Sequence, residues 1–288
     1  MSNAHTESVE DRQALLEQED HMRGMERIGM VVEKITRPVP SVARVTARIA
    51  PSDPQAWRRP NLAIRIEVEA APDQRPVSRI YTVRHFDEAR SCIDIDFVIH
   101  EDDSPAMRWL KAAGPGTRTW LVGPRPHFLP HYESGRKVAI FADETAIPAV
   151  HAILQNWQQP TQGVIHIETA DAAAFEELPD VPGVERHLLL RVPGEAAGSK
   201  TYLSDAAKAL PDPRKWTIWA AGERDIARTL RKHFVEQHGM TREDVRVFGY
   251  WRAGVSSSDI DHARLTHYSA LRAEGKGLQR LEDIELPV

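Results

Sequence analysis

The first half of the chain alternates apolar and polar residues with a period of two. Every second position is Ala, Val, Ile or Leu in 43–49 and 62–68, and the alternation continues in 80–86, 93–99 and 119–122. This period is typical of strands with one buried face, and turns rich in Pro, Asp and Gly separate the segments. Several short strands in succession predict a small antiparallel, Greek-key β-barrel.

A different rhythm begins after residue 134. Short apolar runs now alternate with segments long enough to form a helix, the clearest of which is 146–157. Buried strands separated by helices predict a parallel, Rossmann-like α/β sheet. The strands of this sheet are expected at 138–141, 164–168, 188–191, 218–220 and 245–248.

The two patterns divide the chain into four parts. We expect an N-terminal helical extension at 1–27, a barrel domain at 28–133, an α/β domain at 134–254 and a C-terminal helical extension at 255–288. The N-terminal extension is charged, and its few apolar residues have only a rough heptad spacing.

Composition excludes several classes of protein. The 288 residues include 37 Lys and Arg and 42 Asp and Glu, which are interspersed and give a net charge of −5, so a nucleic-acid-binding surface is not expected. The apolar runs are far shorter than the roughly 20 residues of a membrane span, and the acidic N-terminus does not resemble a secretory signal. We therefore expect a cytoplasmic protein. The single cysteine, Cys92, excludes an intrachain disulfide and a cysteine-built metal site, and we predict no metal site.

The most informative run is Arg-Ile-Tyr-Thr-Val-Arg at 79–84, in a predicted barrel strand. The guanidinium of Arg79 can donate two parallel hydrogen bonds to the oxygens of a pyrophosphate. The ring of Tyr81 can lie flat on an isoalloxazine, and the hydroxyl of Thr82 can bond its redox-active edge. The same residues are also common on any half-exposed strand, so the run alone leaves both interpretations open.

A second run, Ser-Pro-Ala-Met-Arg-Trp at 104–109, follows Asp-Phe-Val-Ile-His at 96–100. Pro105 suits the first turn of a helix, and the free N–H groups of such a turn bind pyrophosphate readily. The alternative is simply a strand, a turn and a capped helix.

Three further runs follow predicted strands of the α/β sheet: Asp-Glu-Thr at 143–145, Ala-Gly-Glu at 221–223 and Gly-Tyr-Trp-Arg-Ala-Gly at 249–254. In an open α/β sheet, ligands bind outside the carboxyl ends of the strands. Gly222 would also let a dinucleotide approach the backbone. A glycine-rich Rossmann fingerprint is absent, and the two acids at 143 and 144 could instead complement a helix dipole.

Taken in order, the motifs R-x-Y-T-x-R, D-F-V-I-H, S-P-A-x-x-W, G-P-R, A-D-E-T-A-x-P-A, A-G-E and G-Y-W-R-x-G resemble the siderophore-interacting proteins. These are flavin-dependent ferric-siderophore reductases of the ferredoxin-reductase-like superfamily. The match extends from about residue 28 to 254. The resemblance implies an FAD-binding barrel, an NAD(P)H-binding α/β domain and the reduction of chelated Fe(III) to Fe(II).

The resemblance also assigns roles to single residues. Tyr81 and Thr82 are the candidate catalytic residues, as groups that position the flavin. The flavin-binding set it implies is Arg79, Tyr81, Thr82, Val83, Asp96, Phe97, Val98, His100, Pro105, Ala106, Met107 and Trp109. The set implied around the nicotinamide is Asp143, Glu144, Thr145, Ala221, Gly222, Glu223, Tyr250 and Trp251. The candidates for binding an anionic ferric siderophore are Arg252, Arg84 and Arg125.

Two departures from the family pattern and two rival functions accompany this reading. Ser104 stands where many relatives have glycine, and Arg252 where some have lysine. A flavin reductase could instead pass electrons to a ferredoxin or flavodoxin, although the sequence has no concentrated basic patch for such a carrier. A binding protein without turnover is the other alternative. The sequence leaves the choice of NADH or NADPH, the siderophore class and the oligomeric state open.

Overall fold

The computed structural model of the chain describes residues 24–70, 76–100, 102–263 and 266. Most of the two predicted helical extensions therefore lies outside the described residues. Residues 257–263 of the C-terminal extension are helical. The hydroxyl of Ser256 accepts a hydrogen bond from the backbone N–H of Asp259 at the start of this helix. Within the described residues, no helix is long and apolar enough to cross a membrane.

Six antiparallel strands form a closed barrel in the order β1-β2-β5-β4-β3-β6. This is the predicted Greek-key arrangement. An eight-residue helix, α1, follows β5, and a 3-10 helix (Pro54–Arg58) follows β2. The strands and helix are β1 (Glu26–Val39), β2 (Val42–Ile49), β3 (Leu62–Glu69), β4 (Val77–Asp87), β5 (Cys92–Val98), α1 (Pro105–Ala112) and β6 (Arg118–Pro126).

The inward-facing residues of all six strands form one core. Ile66, Ile93, Ile95, Phe97 and Leu121 are fully buried in it. Burial of such side chains stabilises the barrel by about 1.5–3 kcal/mol each relative to exposure. The apolar positions that alternate in the sequence are therefore the ones whose side chains form this core.

β1 is the one barrel strand that the sequence pattern did not delimit. It begins at Glu26, ahead of the expected domain boundary at 28, and runs for 14 residues. Its pairing with β2 shifts register between Val32 and Lys34 and again between Thr36 and Val39. Each irregularity breaks the alternation of buried and exposed positions, which is why the period-two signal fades there.

Five parallel strands form the second sheet, in the order β11-β10-β7-β8-β9. Because helices cover both faces, the three central strands β7, β8 and β10 are almost continuously buried, whereas the edge strands β9 and β11 are only partly so. The strands are β7 (Lys137–Asp143), β8 (Gly163–Thr169), β9 (Val184–Leu190), β10 (Trp216–Glu223) and β11 (Val245–Trp251). The helices are α2 (Ile147–Gln155), α3 (Ala172–Glu176), α4 (Tyr202–Lys208) and α5 (Arg224–Arg231), the last continuing into a π-helical turn (Lys232–Gln237).

The helices are divided between the two faces of this sheet. α2 and α3 pack on the face that also receives Val39 and Val42 from the barrel. α4 and α5 pack on the opposite face. The barrel hairpin and the α/β domain thus share a hydrophobic core, which fixes the face that the barrel meets.

The connection between the domains is bonded to both of them. The carbonyl of Phe128 accepts hydrogen bonds from Asn61 Nδ2 at 2.9 Å and from Trp219 Nε1 at 3.0 Å. The hydroxyl of Thr217 donates to the carbonyl of His131 at 2.6 Å. The fold therefore agrees with the predicted class, a barrel followed by a parallel α/β domain, and its two halves meet along a defined seam.

Candidate functional site

An aromatic cluster lies where β4, β5 and α1 meet. The ring centroids of Tyr81 and Phe97 are 4.1 Å apart, and the rings of Phe97 and Trp109 are stacked at 5.5 Å. Phe97 is fully buried, whereas Tyr81 and Trp109 keep part of their surface exposed. Burial of its hydroxyl raises the pKa of Tyr81, so the phenol is neutral at physiological pH. Two partly exposed rings, each in contact with Phe97, offer faces for another planar group.

The first turn of α1 lies beside this cluster in sequence and in space. Ser104 takes the extended N-cap conformation, yet its side chain makes no capping hydrogen bond, and Pro105 occupies the first turn. The N–H groups of the turn therefore have no side-chain acceptor at the cap. Such groups bind phosphate oxygens well. Arg79, two residues before Tyr81 on β4, is half-buried, and its Nη2 donates to Ser258 Oγ at 2.9 Å.

These features fit a flavin dinucleotide. The exposed ring faces suit an isoalloxazine, and the uncapped helix turn with an arginine suits a pyrophosphate. The residues that could hold FAD are therefore Arg79, Tyr81, Thr82, Trp109 and the backbone of the α1 first turn, starting at Pro105.

At the carboxyl edge of the parallel sheet, the carboxylate of Asp143 joins the ends of three strands. Its Oδ2 accepts from the backbone N–H of Glu223 on β10 and from Trp251 Nε1 on β11, both at 2.8 Å. Its Oδ1 accepts from the backbone N–H of Thr145 at 2.9 Å and also from the Thr145 hydroxyl. Asp143 is only 3% exposed. The side chain therefore fixes the mutual positions of β7, β10 and β11 where a ligand is expected.

Gly222 makes room for this carboxylate. Its φ is +151°, and a Cβ placed there would lie 2.4 Å from Asp143 Oδ2 and 2.6 Å from Asp143 Cγ. The sequence interpretation assigned the space over Gly222 to a dinucleotide. In the structure, the Asp143 carboxylate lies where a side chain at 222 would point, so this carboxylate needs a glycine there, and the approach of a dinucleotide stays a prediction.

Asp143 titrates far above the usual range of an aspartate. Burial and the neighbouring charge of Glu144 raise its pKa to about 7, against the opposing effect of hydrogen bonds from Thr145 and Trp251. The carboxyl group can thus hold or release a proton near neutral pH.

Tyr250 connects the sheet edge to the barrel. Burial together with the charge of Asp143 raises the pKa of its phenol, and the nearby side chain of Thr82 on β4 lowers it. The structure therefore brings the Tyr81–Thr82 run and the Asp143–Tyr250–Trp251 group together at the seam, although they are far apart in sequence.

Arg84 and Asp96 have a different role from the one the sequence suggested. The Arg84 side chain is 5% exposed and that of Asp96 is 3% exposed, with Arg84 Nη1 lying 3.0 Å from Asp96 Oδ2. The carboxylate of Asp96 also accepts two hydrogen bonds from Arg44, one from Nε at 2.7 Å and one from Nη2 at 3.0 Å. Arg84 is therefore a buried structural residue and not a substrate residue, and the carboxylate of Asp96 is committed to two arginines instead of lining a cofactor.

Glu144 is likewise occupied within the protein. Arg191 Nη1 donates to Glu144 Oε2 at 2.8 Å and lies 3.3 Å from Glu168 Oε1. Arg191 and Glu168 are both buried. Sequence reasoning missed Arg191, whose only signal was its place directly after an apolar strand.

Glu223 caps α5. Its Oε2 accepts from the backbone N–H groups of Asp225 at 2.7 Å and Ile226 at 2.9 Å, and its Oε1 accepts from Ala253 N at 3.2 Å. Both oxygens of this side chain thus accept backbone hydrogen bonds, and its contact with a nicotinamide stays a prediction.

The other predicted residues differ in accessibility. Val83, Ala106, Met107 and Ala221 are buried in the two cores, so a ligand could reach only their backbone atoms. The side chain of His100 is exposed, and that of Val98 is half-buried.

Two of the three candidate substrate arginines remain accessible. The side chain of Arg252 is 31% exposed, with Nε 3.5 Å from Asp225 Oδ2. Arg125 is exposed on β6, where it pairs with Ala63 of β3, which in turn pairs with Thr82 of β4. This pairing places Arg125, Ala63 and Thr82 side by side on three neighbouring strands, with their side chains on the same face of the barrel wall.

Comparison with known proteins decides the family. The model of the siderophore-interacting FAD-binding domain matches residues 25–128, and that of the siderophore-interacting protein matches residues 135–254. The chain belongs to the siderophore-interacting protein family.

Relatives in this family resemble the chain over most of its length. Ferric acinetobactin reductase of Acinetobacter baumannii is 41% identical and aligns over 99% of both chains. Ferric vibriobactin reductase ViuB of Vibrio cholerae is 29% identical over 64% of this chain and 67% of its own. The solved siderophore-interacting protein of A. baumannii has a TM-score of 0.83 at 42% identity, covering 86% of this chain and 99% of that one.

More distant structures share only the fold. A ferredoxin reductase of carbazole 1,9a-dioxygenase has a TM-score of 0.60 at 12% identity, covering 79% of this chain and 70% of that one. The predicted ferredoxin-reductase-like fold of this family member is confirmed.

Replacement of Gly222 tests the close approach of Asp143. We expect Gly222→Ala to lower the free energy of unfolding by about 1–3 kcal/mol, because the new methyl group meets the carboxylate and the positive φ is strained. Gly114→Ala is the matched control, since a Cβ there meets nothing within 4 Å. Urea unfolding measures both, and equal stability of the two variants would contradict the account.

His151 on α2 is a half-buried group that lies near Arg84 and Arg44 of the barrel. Its Nδ1 is buried without a hydrogen-bond partner. Burial, followed by the charges of Arg84 and Arg44, lowers its pKa from 6.5 to about 4, against an opposing effect of Glu177. The ring is therefore neutral in the folded protein at physiological pH.

This depressed pKa predicts a pH dependence of stability. Below pH 6.5 the unfolded chain protonates His151, whereas the folded chain does so only near pH 4. The free energy of unfolding therefore falls as the pH falls through this window, by about 1–2 kcal/mol for a partly exposed group. We expect His151→Leu to flatten the curve between pH 6.5 and 4 in urea unfolding. The exposed His262→Gln should leave the curve unchanged, and a His151→Leu curve parallel to wild type would refute the assignment.

Proposed function

We propose that this chain is an FAD-dependent NAD(P)H:ferric-siderophore reductase, which reduces chelated Fe(III) to Fe(II) and so releases iron in the cytoplasm. The observation that carries the proposal is the Thr82–Tyr250 contact in a member of this family. It places the barrel strand with the flavin motif against the carboxyl edge of the parallel sheet, where a dinucleotide is expected.

The barrel supplies the flavin side of this seam. Tyr81 and Trp109 offer ring faces, Arg79 offers a guanidinium, and the uncapped first turn of α1 offers N–H groups. Bound FAD would supply the conversion between the two-electron chemistry of a nicotinamide and the one-electron chemistry of iron. Thr82 and Tyr81 act as positioning groups at this edge.

The α/β domain supplies the donor side. Asp143 fixes Trp251 and the β10 turn, and Tyr250 connects them to β4. A rigid frame of this kind orients a nicotinamide without a protein acid or base in the transfer itself. We propose NADH or NADPH as the donor.

The substrate is a ferric siderophore, which is commonly anionic. Arg125 and Arg252 are the accessible arginines on the two sides of the seam, and both suit carboxylate or catecholate oxygens. Ferrous iron binds hard oxygen ligands less tightly than ferric iron, so reduction itself releases the metal. The names of two relatives, ferric acinetobactin reductase and ferric vibriobactin reductase, support this class of substrate.

A reductase for a protein carrier is the second candidate, and the charge distribution disfavours it. A protein carrier with an acidic surface needs an extended basic docking patch. In the described part of the barrel, several exposed arginines are instead paired with carboxylates, namely Arg27–Glu67, Arg58–Glu88, Arg90–Glu33 and Arg108–Glu69.

A visible spectrum followed by anaerobic titration in the same cuvette tests the function. We expect a flavin spectrum that bleaches with NADH or NADPH, and trapped Fe(II) after a ferric siderophore is added. A protein that stays colourless after FAD is supplied would refute the flavin assignment. Bleaching without trapped Fe(II), but with reduction of a ferredoxin, would favour the carrier reductase.

Arginine variants test the substrate side. Arg125→Ala and Arg252→Ala should each raise the KM for the ferric siderophore by about tenfold, because each removes a cation that binds the anion. FAD binding should not change. Arg118→Ala, an exposed arginine at the other end of β6, is the matched control. An unchanged KM in both variants would contradict the assignment.

A further inference from the structure

Four charged residues form an interdomain clamp: Arg44, Arg84 and Asp96 of the barrel with Glu177 of the α/β domain. Glu177 Oε2 lies 2.8 Å from Arg44 Nη2 and 3.5 Å from Arg84 Nη2. Glu177 Oε1 accepts from Arg44 Nη1 at 3.2 Å. Asp96 binds both arginines from the barrel side. One carboxylate of the α/β domain thus completes a network that is otherwise built by β2, β4 and β5.

The clamp is more than a surface ion pair. Two arginines face two carboxylates, so the charges balance, and the Arg84 and Asp96 side chains are 5% and 3% exposed. Buried charges are weakly screened, and removal of one partner leaves the others uncompensated. Glu177, which is 25% exposed, is the outermost member and the only one from the α/β domain.

Both ends of the short helix α3 are attached to the barrel. Asp171, the N-cap of α3, accepts from the backbone N–H of Ser41 at 2.9 Å. Glu177, which directly follows α3, binds Arg44. The five-residue helix α3, which follows β8 of the parallel sheet, is therefore bonded at both ends to the β1–β2 hairpin of the barrel.

On β4 and on β5, the residues of the clamp are close in sequence to residues of the candidate cofactor site. Arg84 is two residues from Thr82 on β4, where the pairing with β5 shifts register between Val83 and His85. Thr82 in turn lies next to the Tyr250 side chain. Asp96 directly precedes Phe97, whose ring contacts Tyr81. Movement at the clamp would therefore move β4 relative to the sheet edge.

We propose that Glu177 is a positioning residue that sets the separation of β4 from the carboxyl edge of the parallel sheet, and thereby the rate of hydride transfer from NAD(P)H to the flavin. The inference rests on the proposed function. In that step a hydride, two electrons with one proton, leaves the nicotinamide, which is oxidised, and bonds to the isoalloxazine, which is reduced.

Hydride transfer is the step most sensitive to this separation. The reacting atoms must approach to about 3–3.5 Å, and small misplacements cost orders of magnitude in rate. The later transfer of single electrons to iron forms no covalent bond between the flavin and the metal. Loss of the clamp should therefore slow the first half-reaction and spare the second.

Glu177→Gln tests the proposal in the full-length, FAD-loaded protein. We expect anaerobic stopped-flow reduction of the flavin by saturating NAD(P)H to slow by about tenfold. The affinity for FAD, and the rate at which dithionite-reduced protein yields trapped Fe(II), should stay at the wild-type values. Glu177→Asp keeps the carboxylate on a side chain one methylene shorter, and we expect it to slow the same reduction by only about threefold.

The matched control is Glu67→Gln, which removes a half-buried carboxylate, 18% exposed, that pairs with Arg27 away from the clamp. It should leave both half-reactions unchanged. Wild-type hydride transfer in a folded Glu177→Gln variant would overturn the proposal, and so would equal slowing of both half-reactions. If Glu177→Gln does not fold, Glu177→Asp decides: a rate below wild type in the first half-reaction alone supports the clamp, and an unchanged rate overturns it.

Failure of the proposed function is distinguishable from failure of the clamp. Hydrogen exchange of peptides covering 77–87 and 245–251 needs no turnover, and we expect it to rise in Glu177→Gln and not in Glu67→Gln. Wild-type protein that is not reduced by either nucleotide would refute the function. Unchanged exchange in Glu177→Gln would refute the clamp.

Discussion

The site depends on the contact between one barrel strand and the carboxyl edge of the parallel sheet. Thr82 on β4 lies next to Tyr250 on β11, and Asp143 accepts a hydrogen bond from the adjacent Trp251. Without this contact the barrel and the sheet would present their motifs on separate surfaces. The shared core around Val39 and Val42 supports the contact by fixing which face of the sheet the barrel meets.

Near this seam, charged side chains mainly pair with one another and so stabilise the fold. Arg84 and Asp96 bind each other in the interior, Arg191 joins Glu144 to Glu168, and similar ion pairs cover the barrel surface. Carboxylates and guanidinium groups that look available in sequence are therefore already committed. The groups left for ligands are ring faces, backbone N–H groups and a few exposed arginines, which suits a protein that positions a cofactor whose own chemistry carries the reaction.

Periodicity predicted the fold well because it records burial directly. Strands with an unbroken alternation, such as β3, were located within a few residues, whereas β1 was not delimited because its bulges interrupt the alternation. The partners of buried charges were not predictable, since Arg44 and Glu177 are 133 residues apart and no local pattern connects them. Gly222 was singled out correctly, but the group that needs its small size is Asp143.

A crystal structure of the FAD complex is the most direct test of the central claim, that the seam is where the two domains bring a flavin and a nicotinamide together. The account predicts the isoalloxazine against Tyr81 and Thr82, facing the Tyr250–Trp251 end of β11, with the pyrophosphate at the first turn of α1. A flavin bound away from β4, for example on the α4 and α5 face of the parallel sheet, would contradict it.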